Sequence, residues 1–226
     1  MPTSRSLTGR RRSRSLYPLL ACGLVGGLAA PAAFATGSGT QAAGAGASVT
    51  KQQPSAPRAT HDYHVEQWVS VSEKIPTRTY KDIGRVGNKG FQTKDSPAPT
   101  GKWRTYIRVN TQNLHRRPKA DRAWLTVTNT WSRSCARYNV ELWDTYGITG
   151  NTTWNTQPRG RMYTWTTPPA SPCRNRTLTF DVTSLVKNAQ DRHWRNITFG
   201  LRSTNETSTD AYKNLDAAHA TLRVHS

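Results

Sequence analysis

The chain predicts an all-β fold, an antiparallel two-sheet β-sandwich with one short helix. Three observations carry that expectation. From about residue 61 apolar side chains recur at every second position, clusters of Gly, Pro, Asn and Ser cut these runs at short intervals, and only one stretch has a helical pattern. Seven or more short alternating strands with scarcely any helix bury their apolar faces best as two facing layers.

The strands follow in order. Tyr63, Val65, Gln67, Val69 and Val71 alternate, as do Thr105, Ile107 and Val109, then Ala123, Leu125, Val127 and Asn129, then Tyr138, Val140 and Leu142. Leu178, Phe180 and Val182 come next, followed by Ile197, Phe199 and Leu201, with Ala220, Leu222 and Val224 as the closing strand. Because successive side chains point to opposite faces, the aliphatic set of each strand fills one side and leaves the other wet. Turns are expected at Pro97-Ala98-Pro99 and Thr167-Pro168-Pro169. The helical piece runs from Ser184 to Ala189, with Thr183 or Asp181 placed to cap it. The Asn-x-Ser/Thr sequences at Asn151, Asn175, Asn196 and Asn205 are read as polar turns rather than glycan acceptors.

Ahead of this domain lies an export leader over residues 1–35. Arg10, Arg11, Arg12 and Arg14 form its basic segment, Leu16 to Ala30 its apolar run, and Ala33-Phe34-Ala35 its cleavage site. A membrane anchor is the competing reading, but the run is rich in Gly and Ala, broken by Pro18 and Pro31, and short of the ~20 strongly apolar residues a span requires. Leu19-Leu20-Ala21-Cys22 resembles a lipidation site, although most of the apolar run follows Cys22 rather than preceding it. The adjacent arginines also suggest a twin-arginine signal, from which Ser13-Arg14-Ser15-Leu16 departs. Residues 36–60, rich in Gly, Ala, Ser and Pro, read as a flexible tether, and residues 61–226 as one domain. The expected product is extracellular or cell-wall associated, monomeric, and free of any transmembrane span once processed.

Removing residues 1–35 takes away five arginines and no acidic residue, leaving 27 basic against 13 acidic side chains and a formal charge of +14. A field of that sign favours acidic partners, here an acidic polysaccharide or another envelope polyanion; no specific nucleic-acid motif accompanies it. The competing reading is that the basic residues serve solubility alone. Cys22 leaves with the leader, so Cys135 and Cys173 form an even pair suited to an oxidising compartment. A disulfide between them closes a loop with 37 intervening residues, which the chain-entropy argument equates to roughly 4 kcal/mol. A metal site is the alternative for two cysteines, but neither has a His or Cys at ligand spacing.

The ordered fragments Trp103-Arg104-Thr105-Tyr106-Ile107-Arg108-Val109, Ala123-Trp124-Leu125-Thr126-Val127, Ser134-Cys135, Val140-Glu141-Leu142-Trp143, Thr152-Thr153-Trp154-Asn155-Thr156-Gln157-Pro158, Phe180-Asp181-Val182-Thr183, Gly200-Leu201-Arg202 and Tyr212-Lys213 resemble the DNRLRE domain. That domain is related to the disaggregatase repeat and to carbohydrate-binding module family ninety-six, and occurs in secreted actinobacterial proteins. The resemblance covers residues 100–226 well and 61–99 loosely. It implies a jelly-roll-like sandwich with a non-catalytic, glycan-binding role. Many relatives carry several copies or an appended module, which this chain does not show, and that puts in doubt any function relying on a second domain in cis.

A protein grips a sugar by laying an aromatic ring on its C–H face and aiming fixed polar groups at the hydroxyls. Eight tryptophans are available. Tyr163 and Trp165, read as part of a loop flanked by Arg159, Arg161 and the two prolines, combine rings with positive charge and form the first expected contact segment. Trp194, beside Arg192, His193 and Arg195 before the Ile197 strand, is the second. Trp154 is expected to pack under a turn. Trp124 and Trp143 point away from the aliphatics of their own strands, either as a platform or beneath crossing loops. The chain has no H-E-x-x-H, no G-x-S-x-G and no phosphate-cradling Gly-rich loop, so a binding module is expected rather than an enzyme. Asp144, Asp181, Asp210, Asp216 and Glu206 offer no recognisable catalytic pair; Asp181 is expected at the helix start and Glu141 opposite a basic cross-strand neighbour. No cofactor is expected: jelly-roll sandwiches sometimes hold a structural calcium, but no Asp-rich loop supports one. Two further classes stand beside the binding module, an adhesive envelope domain that binds proteins and a hydrolase or lyase.

Overall fold

The structure, a computed structural model, describes residues 59–90, 101–136, 138–169 and 173–226. The expected leader, nearly all of the tether and the Pro97-Ala98-Pro99 turn lie outside the described residues. Among the described residues the domain holds ten strands and one α-helix: β1 (Thr60–Ser72), β2 (Thr79–Tyr80), β3 (Gly84–Asn88), β4 (Lys102–Asn110), β5 (Arg122–Ser132), β6 (Val140–Thr145), β7 (Gly160–Thr166), β8 (Arg176–Asp181), α1 (Thr183–Asp191), β9 (Asn196–Ser203) and β10 (Lys213–His225). All pairings are antiparallel. Among the described residues, no helix is long and apolar enough to cross a membrane.

One layer is built from β8, β5 and β10, continued on the far edge of β10 by the start of β1 and by β3. The other runs β2, β1, β4, β9, β6, β7. The fold is all-β as expected, but the layers are not two independent sheets. β1 pairs with β10 through Thr60–His64 and with β4 through Val65–Ser72, and β3 likewise bonds to both layers, so hydrogen bonding is continuous around one side. The remaining edges, β7 and β8, approach each other without a ladder. The closure is therefore barrel-like, which protects most edges from pairing with other chains.

The core forms as the alternation demands. Ala123, Leu125 and Val127 of β5, Leu178 and Phe180 of β8 and Leu222 and Val224 of β10 face Ile107, Val109, Leu142, Ile197, Phe199 and Leu201 of the opposite layer. Helix α1 plugs one end with Leu185, Val186 and Ala189. Asp181 serves its start: the Thr183 N–H donates to Asp181 Oδ1 at 2.9 Å, satisfying a first-turn group that has no intrahelical partner.

β1 departs from the single-face reading. A register shift between Val65 and Gln67 turns the strand over. Tyr63, Val65 and Trp68 pack on the main core, whereas Val69 and Val71 join Tyr106 and Ile148 in a second cluster on the outer face of the β4 layer. Trp154 packs on that cluster, with the Arg104 guanidinium 4.6 Å from its ring centroid. The Tyr106 hydroxyl donates to Gln157 Oε1 at 2.8 Å, and Arg104 holds Glu206 through Nε and Nη2 at 2.8 and 2.7 Å. The bonds to Gln157, from Tyr106 and from Arg104 Nη1 at 3.0 Å, fasten the segment between β6 and β7 against the sheet, and the Arg104–Glu206 pair ties the stretch after β9 to the same face. Gly200 makes room for this packing, since a Cβ there would lie 3.0 Å from the Tyr106 ring.

Cys135 and Cys173 form the expected disulfide, with Cα atoms 5.2 Å apart. Asn129 and Ser132 of β5 donate to the Cys173 carbonyl at 2.8 and 3.2 Å, anchoring the chain just before β8.

A candidate binding cleft beside the β6–β7 hairpin

The segment from Arg159 to the two prolines, expected as a loop, is largely strand β7. It is an edge strand with only β6 as a ladder partner, and edges tolerate the mixed Gly-Arg-Met-Tyr-Thr-Trp-Thr composition that hides a period of two. A register shift opposite Leu142 and Trp143 leaves Tyr163 as an extra residue. Tyr163 consequently turns inward and packs on the core, where its hydroxyl accepts the Leu185 N–H at 3.1 Å. Trp165 points the other way, opposite Glu141, and is 55 % exposed beside Met162 at 49 %. The two rings expected to act together therefore lie on opposite faces.

Arg161 and Trp194 do come together. They line a cleft of about 650 Å³ where β6, β7 and the start of β9 run out, with Asp144, Tyr146, Arg159 and Asn196. Its geometry follows from local constraints. The Tyr146 N–H donates to the Arg159 carbonyl at 3.1 Å, closing the base of the hairpin arm. Gly160 is required there, because a Cβ would sit 2.4 Å from the Asp144 carbonyl oxygen. On the opposite wall, α1 ends and the chain reverses through His193, whose φ of +55° lies in the left-handed region. The Trp194 N–H then donates to Ala189 at 2.9 Å and its carbonyl accepts the Thr111 hydroxyl at 3.1 Å, so the half-buried indole is held against the core. Arg195 is exposed and does not line the cleft.

Among the described residues of the lining, Asp144 is the one acidic side chain. Burial pushes its carboxyl above the usual range, while Arg161, at 3.6 Å, draws it back. With one carboxylate, two guanidinium groups, a Trp wall and a Tyr ring 75 % exposed at the mouth, the cleft offers stacking surface, donors and net positive charge. Among the described residues, no group of three or more His, Cys, Asp or Glu side chains is placed to hold a metal ion.

The other aromatics behave differently. Trp143, on the outer face, lies under Arg202, whose guanidinium is 3.8 Å from the ring centroid, and donates through Nε1 to Glu141 Oε2 at 2.7 Å. Arg202 is Glu141's cross-strand neighbour in register, but its guanidinium lies over the Trp143 ring and Glu141 accepts from the Trp143 indole instead, so the expected contact with a basic side chain is replaced by one with Trp143. Trp124 meets His225 edge-on at 5.0 Å. Tyr146 carries no special weight in the sequence; only a hairpin read between β6 and β7 would have placed it beside Arg161. No family model matches the chain, and no curated protein matches it.

Proposed function

We propose that this is a secreted, non-catalytic carbohydrate-binding module of the DNRLRE type, and that it takes an anionic extracellular or cell-wall polysaccharide through the cleft between the β6–β7 hairpin and Trp194. One observation carries the reading: Trp194 and Tyr146 stand in one cleft with Arg159 and Arg161. A sugar ring stacks on the indole or phenol, its acidic group meets a guanidinium, and Asp144 accepts from a hydroxyl. The formal charge of +14 left after residues 1–35 adds long-range attraction for a polyanion.

The test is retention on immobilised polygalacturonate and on a neutral glucan over a salt series. Retention on the acidic polymer at low salt should fade toward about 1 M salt, where the screening length is about 3 Å, and Tyr146→Ala with Arg161→Ala should lower affinity about tenfold, the loss of roughly one charge-assisted contact. Tyr146 is a surface residue, so the first change leaves folding intact. Absence of retention at low salt overturns the reading. A second reading, an adhesive envelope domain that binds proteins, draws on exposed Trp165 and Met162 on the opposite face of β7; Trp165→Ala would then abolish partner binding while leaving polysaccharide retention unchanged.

A further inference from the structure

The end of the barrel that α1 closes carries a basic shelf next to the hairpin cleft. Its two halves are residues 114–120, between β4 and β5, and residues 191–195, between α1 and β9. One buried side chain joins them. Gln190 donates through Nε2 to the Leu114 and Pro118 carbonyls at 3.1 and 2.9 Å, and its Oε1 accepts the Ala120 N–H at 2.9 Å. An amide 4 % exposed with both ends bonded has one orientation, so the 114–120 loop sits in a fixed position on the helix. The halves meet again at the surface, where the His115 and His193 rings lie 5.0 Å apart and Lys119 pairs with Asp191.

The cations brought together in this way face solvent. Arg116, Arg192 and Arg195 are exposed and form no ion pair among the described residues. Arg192 is steadied by donating through Nε to Asn188 Oδ1 at 2.8 Å. The acids close by in sequence are Asp121 and Asp191, and Asp191 is taken by Lys119. Beyond the described residues the sequence holds one acid, Asp95 within residues 91–100, and the flanking Gly90 and Gly101 stand at the end of β4 opposite Thr111. Trp194 links the shelf to the cleft. Its indole lines the cleft, whereas the residues on either side of it, His193 and Arg195, belong to the shelf. Thr111 locks this turn to the root of the 114–120 loop, its hydroxyl donating to the Trp194 carbonyl at 3.1 Å and its N–H to the Arg195 carbonyl at 2.8 Å.

We propose that the shelf extends the hairpin cleft into one track, so that the ligand is an internal stretch of an acidic polysaccharide chain rather than a single sugar or a short oligomer. The inference rests on the polysaccharide reading of the cleft. A sugar ring is held on Trp194 or Tyr146, and the acidic groups that follow it along the chain meet Arg195, Arg192 and Arg116. Exposed guanidinium–carboxylate contacts are individually weak, because water and salt screen them. They become effective once the chain is anchored next to them, since each further contact is then intramolecular and draws on a high local concentration of carboxylate. The fixed position of the loop on α1 adds to this, because the guanidinium groups need little ordering to meet the chain.

The experiment is a calorimetric titration of the protein with galacturonate dimer and with galacturonate decamer at constant low ionic strength. The triple change Arg116→Ser/Arg192→Ser/Arg195→Ser, all at exposed positions, should weaken the decamer about tenfold, the scale of three solvent-exposed charge contacts, and the dimer by less than about twofold. Retained dimer affinity also shows that the cleft is still folded. A charge-matched control, Arg78→Ser/Lys81→Ser/Arg174→Ser, removes as many exposed cations from elsewhere on the surface and should leave decamer affinity within about twofold. Unaltered decamer affinity in the shelf variant, an equal loss for dimer and decamer, or an equal loss in the control overturns the proposal while leaving the cleft reading in place. Binding of neither oligomer by the unaltered protein overturns the cleft reading, and the shelf falls with it.

Discussion

Reducing the Cys135–Cys173 bridge should lower the melting temperature by about ten degrees. The bridge closes a loop with a sequence separation of 38 residues, and constraining the unfolded chain by that much corresponds to roughly 4 kcal/mol. At this domain size each 1 kcal/mol moves the midpoint by about 2–4 °C, so the expected shift is about 8–16 °C. The native structure tolerates the loss of the bond, because β5 and β8 stay paired from Trp124↔Asp181 to Asn129↔Arg176 and Asn129 still holds the Cys173 carbonyl. The assay is thermal unfolding followed by circular dichroism with and without reductant, repeated on Cys135→Ser/Cys173→Ser. A shift of less than about 3 °C in both comparisons, below the smallest figure the loop argument allows, would refute the reasoning.

Three other perturbations have defined outcomes. Phe180→Ala removes one of the largest fully buried side chains and should cost about 3–5 kcal/mol in urea unfolding, the usual range for emptying such a site. Acidification should destabilise the fold in a set window: Arg85 beside Asp82 holds its carboxyl down at about 2 against an ordinary 3.8, so this contribution is complete above about 4 and is lost as pH falls toward 2, and Asp82→Asn should remove that part of the pH dependence. Lys213 is 1 % exposed, and burial pushes its ammonium below the ordinary lysine value of 10.5. The unfolded chain therefore binds its proton more tightly, stability should rise with pH only between the depressed native value and 10.5, and Lys213→Met should raise the midpoint at neutral pH.

Strands whose alternation is uninterrupted were legible from sequence. In β5, Ala123, Leu125 and Val127 enter the core as a period of two requires, and the same holds for Phe180 in β8 and for Ile197, Phe199 and Leu201 in β9. Strands that change partners or carry an extra residue were not. Tyr63, Val65, Val69 and Val71 look like one face, yet the irregularity near Glu66 divides them between two clusters. Tyr163 and Trp165 read as one contact loop, yet they lie in strand β7, where the extra residue sends their rings to opposite faces. β3 holds only one aliphatic residue in Gly-Arg-Val-Gly-Asn, so its pattern is invisible, although it links both layers. The candidate cleft was half legible. Arg161 and Trp194 each stand out by composition, but their meeting depends on β6 pairing with both β7 and β9, a long-range adjacency that spacing along the chain does not encode.

The most direct test of the binding account is a crystal structure of the protein with an oligouronate. The account predicts one sugar ring stacked on Trp194 or Tyr146 with its carboxylate on Arg159 or Arg161; an oligosaccharide bound away from that cleft, with the cleft itself open to the ligand, would contradict it.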